Sequence, residues 1–286
     1  MTRRNHRTAL TSLLFFIVGI GVLFAGTTSS SSLEMKSEIK VKGPRPLAAA
    51  ILILEARIRV PITYEDPPYR FQGDIAVSPE GPLIPKPGSI DFVFSDQLEL
   101  GQILRSLVEG NTKQGNPGIF EVKAAEGIYH VIPVRYRNET GEFVAHNSIL
   151  DTRISISAQN ATGIDIIEMM CKQLSERLGG KVVVGMIPPV PFSSLQKIFT
   201  AVDRSANDCL TELIKKTGYN LSWQLFYDPK LRWYALNIHP VGYGGTNAST
   251  TAQNASASRL IGRDWPSSQL IEPASGASQR CALERQ

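Results

Sequence analysis

Apolar residues recur at helical spacing in four stretches of this chain. Leu47, Ile51, Leu54 and Ile58 share one face, and Leu100, Ile103, Leu104, Leu107 and Val108 share a second. Ile164, Ile167, Met170, Cys171, Leu174 and Leu178 make a third, and Ala206, Leu210, Leu213 and Ile214 a fourth. A period of three to four residues predicts an amphipathic helix at each place. The flanking residues fit. Pro46 suits a first helical turn, where its missing N–H costs nothing. Ser95 or Asp96 is the expected cap of the second helix, and Gly110-Asn111 its expected end. Gly179-Gly180 and Gly218 supply left-handed stops for the third and fourth. Ser205 followed by Asp208 resembles a capping box.

Short runs rich in β-branched and aromatic residues lie between these helices and predict strands. In the first part they cover 38–41, 60–64, 90–94, 120–122 and 129–134, with a turn at 124–127. In the second part they cover 153–157, 181–184, 199–202, 221–227 and 232–239, with a turn at 228–230. The two parts read alike. SDQLELGQILRSL, from Ser95, aligns with SANDCLTELIKKT, from Ser205, so that Leu100 meets Leu210 and Leu104 meets Ile214. Each order is strand, helix, strand, strand, helix, strand, strand. The expected fold class is therefore α+β, as two tandem small modules of βαββαββ type, each a helix pair packed against short sheets. The expected boundaries are 33–142 and 143–242. A Pro/Gly-rich insert at 72–89 interrupts the first, and a long connection of this kind is usually functional or mobile.

The ends differ from this middle. Arg3, Arg4 and Arg7 precede an uncharged apolar run, LLFFIVGIGVLFAG, and then small residues. That order predicts a secretory signal peptide or an uncleaved N-terminal anchor over 1–32. From Gly242 the composition turns to Ser, Ala, Thr, Asn and Gly, which predicts a disordered tail over 243–286. The leader takes three arginines from the 30 Lys and Arg and nothing from the 26 Asp and Glu, leaving the remainder nearly balanced. No basic stripe survives to suggest nucleic acid.

Candidate chemistry is sparse. There is no nucleophile elbow, zinc-protease helix, P-loop or dinucleotide fingerprint. His130 and His239 are expected on strand surfaces and His146 in the connection between the two parts. Cys281 falls in the tail. Cys171 and Cys209 lie on the inward faces of the second pair of helices. They read either as buried free thiols or, in an oxidising compartment and if the helices pack side by side, as a disulfide. No second Cys or His stands at ligand spacing, so neither metal nor cofactor is expected. The most distinctive segment is Tyr64-Glu65-Asp66-Pro67-Pro68-Tyr69, with Asp74 beyond it. Expected at a sheet edge, it reads either as a recognition loop or weak cation site formed by Tyr64, Glu65, Asp66, Tyr69 and Asp74, or as a rigid exit from a strand.

The stretches LDTRISISAQNATGIDIIEMMCKQLSERLGGKVVV, DRSANDCLTELIKKTGYNLSWQL and WYALNIHPV together resemble the secretin and TonB short N-terminal domain. Leu210, Leu213, Ile214, Thr217, Gly218, Tyr219 and Leu221 carry its last helix and exit, and the first part matches more faintly. The resemblance implies a non-catalytic module that binds protein partners in the periplasm. No barrel, plug or pore segment is expected among the residues after the second part, so only the module's binding behaviour is expected to carry over. The resulting expectation is an exported envelope protein with an envelope protein partner, touching the membrane only through an uncleaved leader. The alternatives are a small-molecule or glycan-binding protein using 64–74, and a hydrolase assembled from scattered Ser, His and Asp. The strand at 232–239 is the expected open edge for partner pairing, because Pro240 ends it.

Overall fold

A computed structural model describes residues 36–242, except 194 and 196. The leader and the tail, Cys281 included, lie outside the described residues. Among those described, no helix is long and apolar enough to cross a membrane.

The fold is α+β. The first half runs β1 (Lys36–Gly43), α1 (Pro46–Ile58), β2 (Ile62–Glu65), β3 (Ile75–Val77), β4 (Leu83–Pro85), β5 (Gly88–Ser95), α2 (Leu100–Lys113), β6 (Ile119–Ala125), β7 (Ile128–Arg137) and β8 (Phe143–Ala145). The second half runs β9 (Arg153–Ala161), α3 (Gly163–Leu178), β10 (Val182–Val184), α4 (Pro189–Ser193), β11 (Lys197–Ser205), α5 (Ala206–Thr217), β12 (Leu221–Asp228) and β13 (Trp233–Pro240). Strands β1 and β5 pair antiparallel, and so do β9 and β11. In the first half β2 runs parallel to β7, which pairs antiparallel with β6. In the second, β10 runs parallel to β13, which pairs antiparallel with β12. The insert is partly ordered, since β3 and β4 form a small hairpin.

One seven-stranded sheet spans both halves, in the order β10-β13-β12-β2-β7-β6, with β8 on β7. The seam is the short parallel pairing of β12 with β2, where Gln224 faces Tyr64 and Leu225 faces Glu65. Residues paired across a ladder share a face, and faces alternate along a strand. Tyr64 and Phe226 therefore join the core of α1 and α2, whereas Trp223, Leu225 and Tyr227 join that of α3 and α5. The two helix pairs cover opposite faces of the sheet. This explains why 221–227 reads as an almost continuous large-residue run, because β12 is buried on both sides.

Three expectations are corrected. The second helix is capped by Glu99, in a reciprocal box with Gln102, rather than by Ser95 or Asp96. It runs through Gly110 and Asn111, neither of which takes a positive φ, and ends at Lys113, two residues before Gly115 at φ 72°. Strand β13 is not an edge. Strand β10 covers it, with further bonds from Gly185 N–H to the Leu236 carbonyl and from Ile238 N–H to the Met186 carbonyl.

Candidate functional site

The segment after β2 lies inside the sheet, not at its edge, because β12 captures β2 on the side away from β7. Tyr64 and Tyr69 are buried, and Asp66 is 0 % exposed. Asp66 Oδ2 accepts from Arg45 Nε at 2.6 Å and from the Tyr227 N–H at 3.0 Å. Its Oδ1 accepts from the hydroxyls of Tyr64 at 2.8 Å and Tyr69 at 3.0 Å. Arg45, just before α1, also donates to the Tyr227 carbonyl at 2.7 Å and lies 4.8 Å from the Phe226 ring centre. A buried charge is tolerable only when paired and hydrogen-bonded, and here four donors converge on one carboxylate. Burial works against the charge on Arg45, but Asp66 outweighs it and the pKa rises. Burial and the charge of Asp66 push both tyrosine hydroxyls well above their ordinary range, so they remain donors. This clamp ties α1, β2 and β12 together.

The other two carboxylates sit apart. Glu65, on the opposite face of β2, accepts from Ser148 Oγ at 2.6 Å and from Ile149 N–H at 2.8 Å, pinning the turn that leads into β9. Asp74 receives two bonds from Arg137, whose guanidinium lies 5.2 Å from the Phe71 ring centre. Burial raises the pKa of Asp74, against the pull of Arg137. The five sequence-selected residues thus form three separate structural clamps. Only Tyr64, Asp66 and Tyr69 meet one another.

On the far side of Tyr69 lies a cavity of about 630 Å³. Tyr69, Tyr227 and Tyr234 line its inner wall, with Tyr227 and Tyr234 edge to face at 4.9 Å between centroids. Arg70, Lys181, Lys230 and Arg232 line its exposed part, against a single acid, Glu139. Local turns hold these cations in place. Asp228 Oδ1 accepts from the N–H groups of Lys230 and Leu231, both at 2.8 Å, and Arg232 takes a left-handed φ of 55°. Gly179 ends α3 with a φ of 61° and delivers Lys181. Arg70 is 5.9 Å from the Tyr136 ring centre and Lys181 is 4.1 Å from that of Trp233. Among the described residues, Arg70, Lys230 and Arg232 form no ion pair. Burial raises the Tyr227 hydroxyl above its ordinary range, and the Arg70 and Arg232 charges oppose that rise. Two buried polar atoms of lining residues have no protein partner, the Tyr234 hydroxyl and His146 Nε2. The latter lies 3.5 Å from Glu65 Oε1, but the approach makes no hydrogen bond.

The remaining titratable groups are structural in placement. His130 is buried rather than on the strand surface. Its Nδ1 is 2.8 Å from Thr63 Oγ1, its ring packs on Trp223, and burial, with Lys123 nearby, lowers its pKa to about 4. His239 Nε2 is 2.7 Å from Glu55 Oε2. Cys171 and Cys209 share one core as free thiols. Burial, with Glu168 nearby, pushes the Cys171 thiol up to about 12, and burial raises Cys209 as well. Thiols so disfavoured as thiolates are poor nucleophiles. Among the described residues, no three His, Cys, Asp or Glu side chains could hold a metal ion. No protein-family model, curated protein or solved structure matches this chain.

Proposed function

We propose that this chain is a non-catalytic, exported binding and assembly protein of the cell envelope. It is built from two modules resembling the secretin and TonB short N-terminal domain, and it engages an envelope protein. One observation carries the reading. The pairing of β1 with β5, and of β2 with β7 and β6, recurs as β9 with β11, and β10 with β13 and β12. That recurrence supports the strand-helix order on which the resemblance rests.

A partner of this module would add a strand at an open sheet edge, where unpaired backbone groups stand ready. Strand β6 ends the seven-stranded sheet, and Lys123, Ala124 and Ala125 on it are exposed. The hairpin turns on Glu126 and Gly127, both at positive φ, so Ala125 and Ile128 form its closing pair. In such a two-residue hairpin the closing pair exchanges hydrogen bonds and alternate pairs do not. The N–H groups of Val122 and Ala124 therefore point away from β7, and Pro133, opposite Phe120, stands where no donor is needed. The test is affinity capture from envelope extracts with the full chain and with Ala124→Pro. The expected result is a specific protein held by the wild type and lost by the variant at unchanged melting temperature. Capture of no specific protein would refute the reading, and equal capture by the variant would refute the β6 edge.

A further inference from the structure

We propose that the free edge of β6 pairs with the free edge of β10 in a second copy of this chain, so that copies join head to tail into an open filament. The inference rests on the strand-addition reading of the β6 edge and names the partner there.

The pairing is already made once, inside the chain. The seam joins unlike edges, β12 of one half and β2 of the other. In the recurrence of the two halves, β6 corresponds to β12 and β10 to β2. The two ends of the seven-stranded sheet are therefore the same two kinds of edge that meet at its middle. Directions agree too. Strands β12 and β2 run parallel, and, followed strand by strand across the sheet, β6 and β10 also point the same way. At the seam the two halves carry their helices on opposite faces, and so would the two halves that meet between copies.

The backbone groups at the two edges match. At the seam, α1 occupies the start of β2, where the Ile62 N–H donates to Glu55 Oε1 at 2.9 Å. Tyr64 and Asp66 are left for β12, and the Asp66 N–H donates to the Leu225 carbonyl at 2.8 Å. Strand β10 is prepared in the same way. Here α3 occupies Val182, whose N–H donates to Ser175 Oγ at 2.8 Å and whose carbonyl accepts from it at 3.1 Å. The Gly185 N–H turns to β13, so the backbone groups of Val184, one residue earlier, point away from it. Ile62 faces Tyr129 as Val182 faces Tyr234, so Val184 stands where Tyr64 stands. Ala124 faces Tyr129 as Tyr227 faces Tyr234, so Glu121 stands where Gln224 stands. A repeated seam thus sets Val184 opposite Glu121, between the outward backbone groups of Phe120 and Val122. Met186 takes the place of Asp66, yet it is 50 % exposed where Asp66 is 0 % exposed. Its N–H is kept by Asn237 Oδ1 at 2.8 Å, so Val184 carries the new pairing.

Corresponding strands of the two halves run in opposite directions and corresponding helices lie on opposite faces. The operation relating them is a half-turn about an axis across the strands, with a shift along that axis. A rotation with a shift never closes on itself, and unlike edges joined this way give open filaments rather than rings.

The test is light scattering of the full chain in mild detergent, from about 1 µM to about 100 µM, beside Val122→Pro and Val184→Pro. Each proline removes one outward N–H and no bond to the neighbouring strand. The expected result is a wild-type protein mass that grows with concentration to at least about twice that of one chain, while each folded variant stays at one chain. Mixed one to one, the variants should form a pair and stop there, because Val122→Pro keeps its β10 edge and Val184→Pro its β6 edge. Equal masses in wild type and variants would place assembly elsewhere, and a dimer of Val184→Pro alone would mean that β6 pairs with itself. Either overturns the proposal. A wild type that stays at one chain throughout also overturns it, and leaves the β6 edge to a different protein, which the capture experiment reads separately. Should a proline variant melt early, Glu121→Cys mixed with Val184→Cys, both carrying Cys281→Ser, answers the same question. Paired residues in neighbouring strands stand about 4.8 Å apart, within disulfide reach, so a disulfide-linked pair is expected and its absence overturns the proposal.

Discussion

Tyr69 and Tyr227 stand between two polar regions of opposite character. On one side is the Asp66 clamp, where a single carboxylate takes bonds from Arg45, Tyr64, Tyr69 and the Tyr227 backbone and is sealed from water. On the other is the cavity, where Arg70, Lys230 and Arg232 form no ion pair among the described residues, and beside it the buried Tyr234 hydroxyl has no protein partner. Both regions draw on tyrosine and arginine, so residue type does not separate them. Satisfaction does. Groups whose bonds close on one another hold the fold, and groups left open do not.

Several substitutions would break or sharpen this contrast. The largest effect should come from Asp66→Ala, which strands a buried guanidinium and two tyrosine hydroxyls. A loss of about 3–5 kcal/mol in urea unfolding is expected, because breaking a buried pair leaves an uncompensated charge. A loss below about 1 kcal/mol would mean that the clamp is not what ties α1 to the sheet.

Next comes His130. Its pKa falls from 6.5 to about 4 on folding, so the unfolded chain binds the proton first as pH drops. Stability should therefore be unaffected by this group above pH 6.5 and decline as pH falls towards 4, by about 3 kcal/mol in all. Denaturant midpoints measured across that range should flatten in His130→Gln. An identical slope in the variant would assign the acid sensitivity elsewhere. Asp74→Asn, which weakens the bonds to the partly exposed Arg137, should cost about 1–2 kcal/mol. Smallest of all, Arg70→Ala and Arg232→Ala should each change stability by less than about 0.5 kcal/mol, since neither side chain closes a bond the fold needs.

The helices and most strands were legible because periodicity is local. Leu100, Ile103, Leu104, Leu107 and Val108 declare a buried face whatever they pack against, and four of them reach burial in a single core. The turn at Glu126-Gly127 was legible for the same reason. Sheet position was not. Whether β13 is an edge depends on the three-residue β10, and the seam between the halves rests on two register pairs. Nor was the clamp legible as a unit. Arg45 is 21 residues from Asp66 and the Tyr227 N–H is 161 away. An acid flanked by tyrosines and followed by two prolines pointed to the place, but nothing local named its partners. The cavity left still less trace, because Arg70, Lys181 and Arg232 come from three separate connections that only the shared sheet gathers. Of its three wall tyrosines, Tyr69 alone stood among the candidate site residues read from sequence.

Satisfaction separates the two regions, so the buried Tyr234 hydroxyl, which has no protein partner, contributes no bond to the fold. The most direct test is the unfolding free energy of Tyr234→Phe in urea without ligand. Stability equal to the wild type or slightly higher is expected, because deleting an unbonded buried hydroxyl removes a polar group with no partner to lose. A loss of about 1–2 kcal/mol, the size expected when a bonded hydroxyl is deleted, would show that the fold uses it and would contradict the claim.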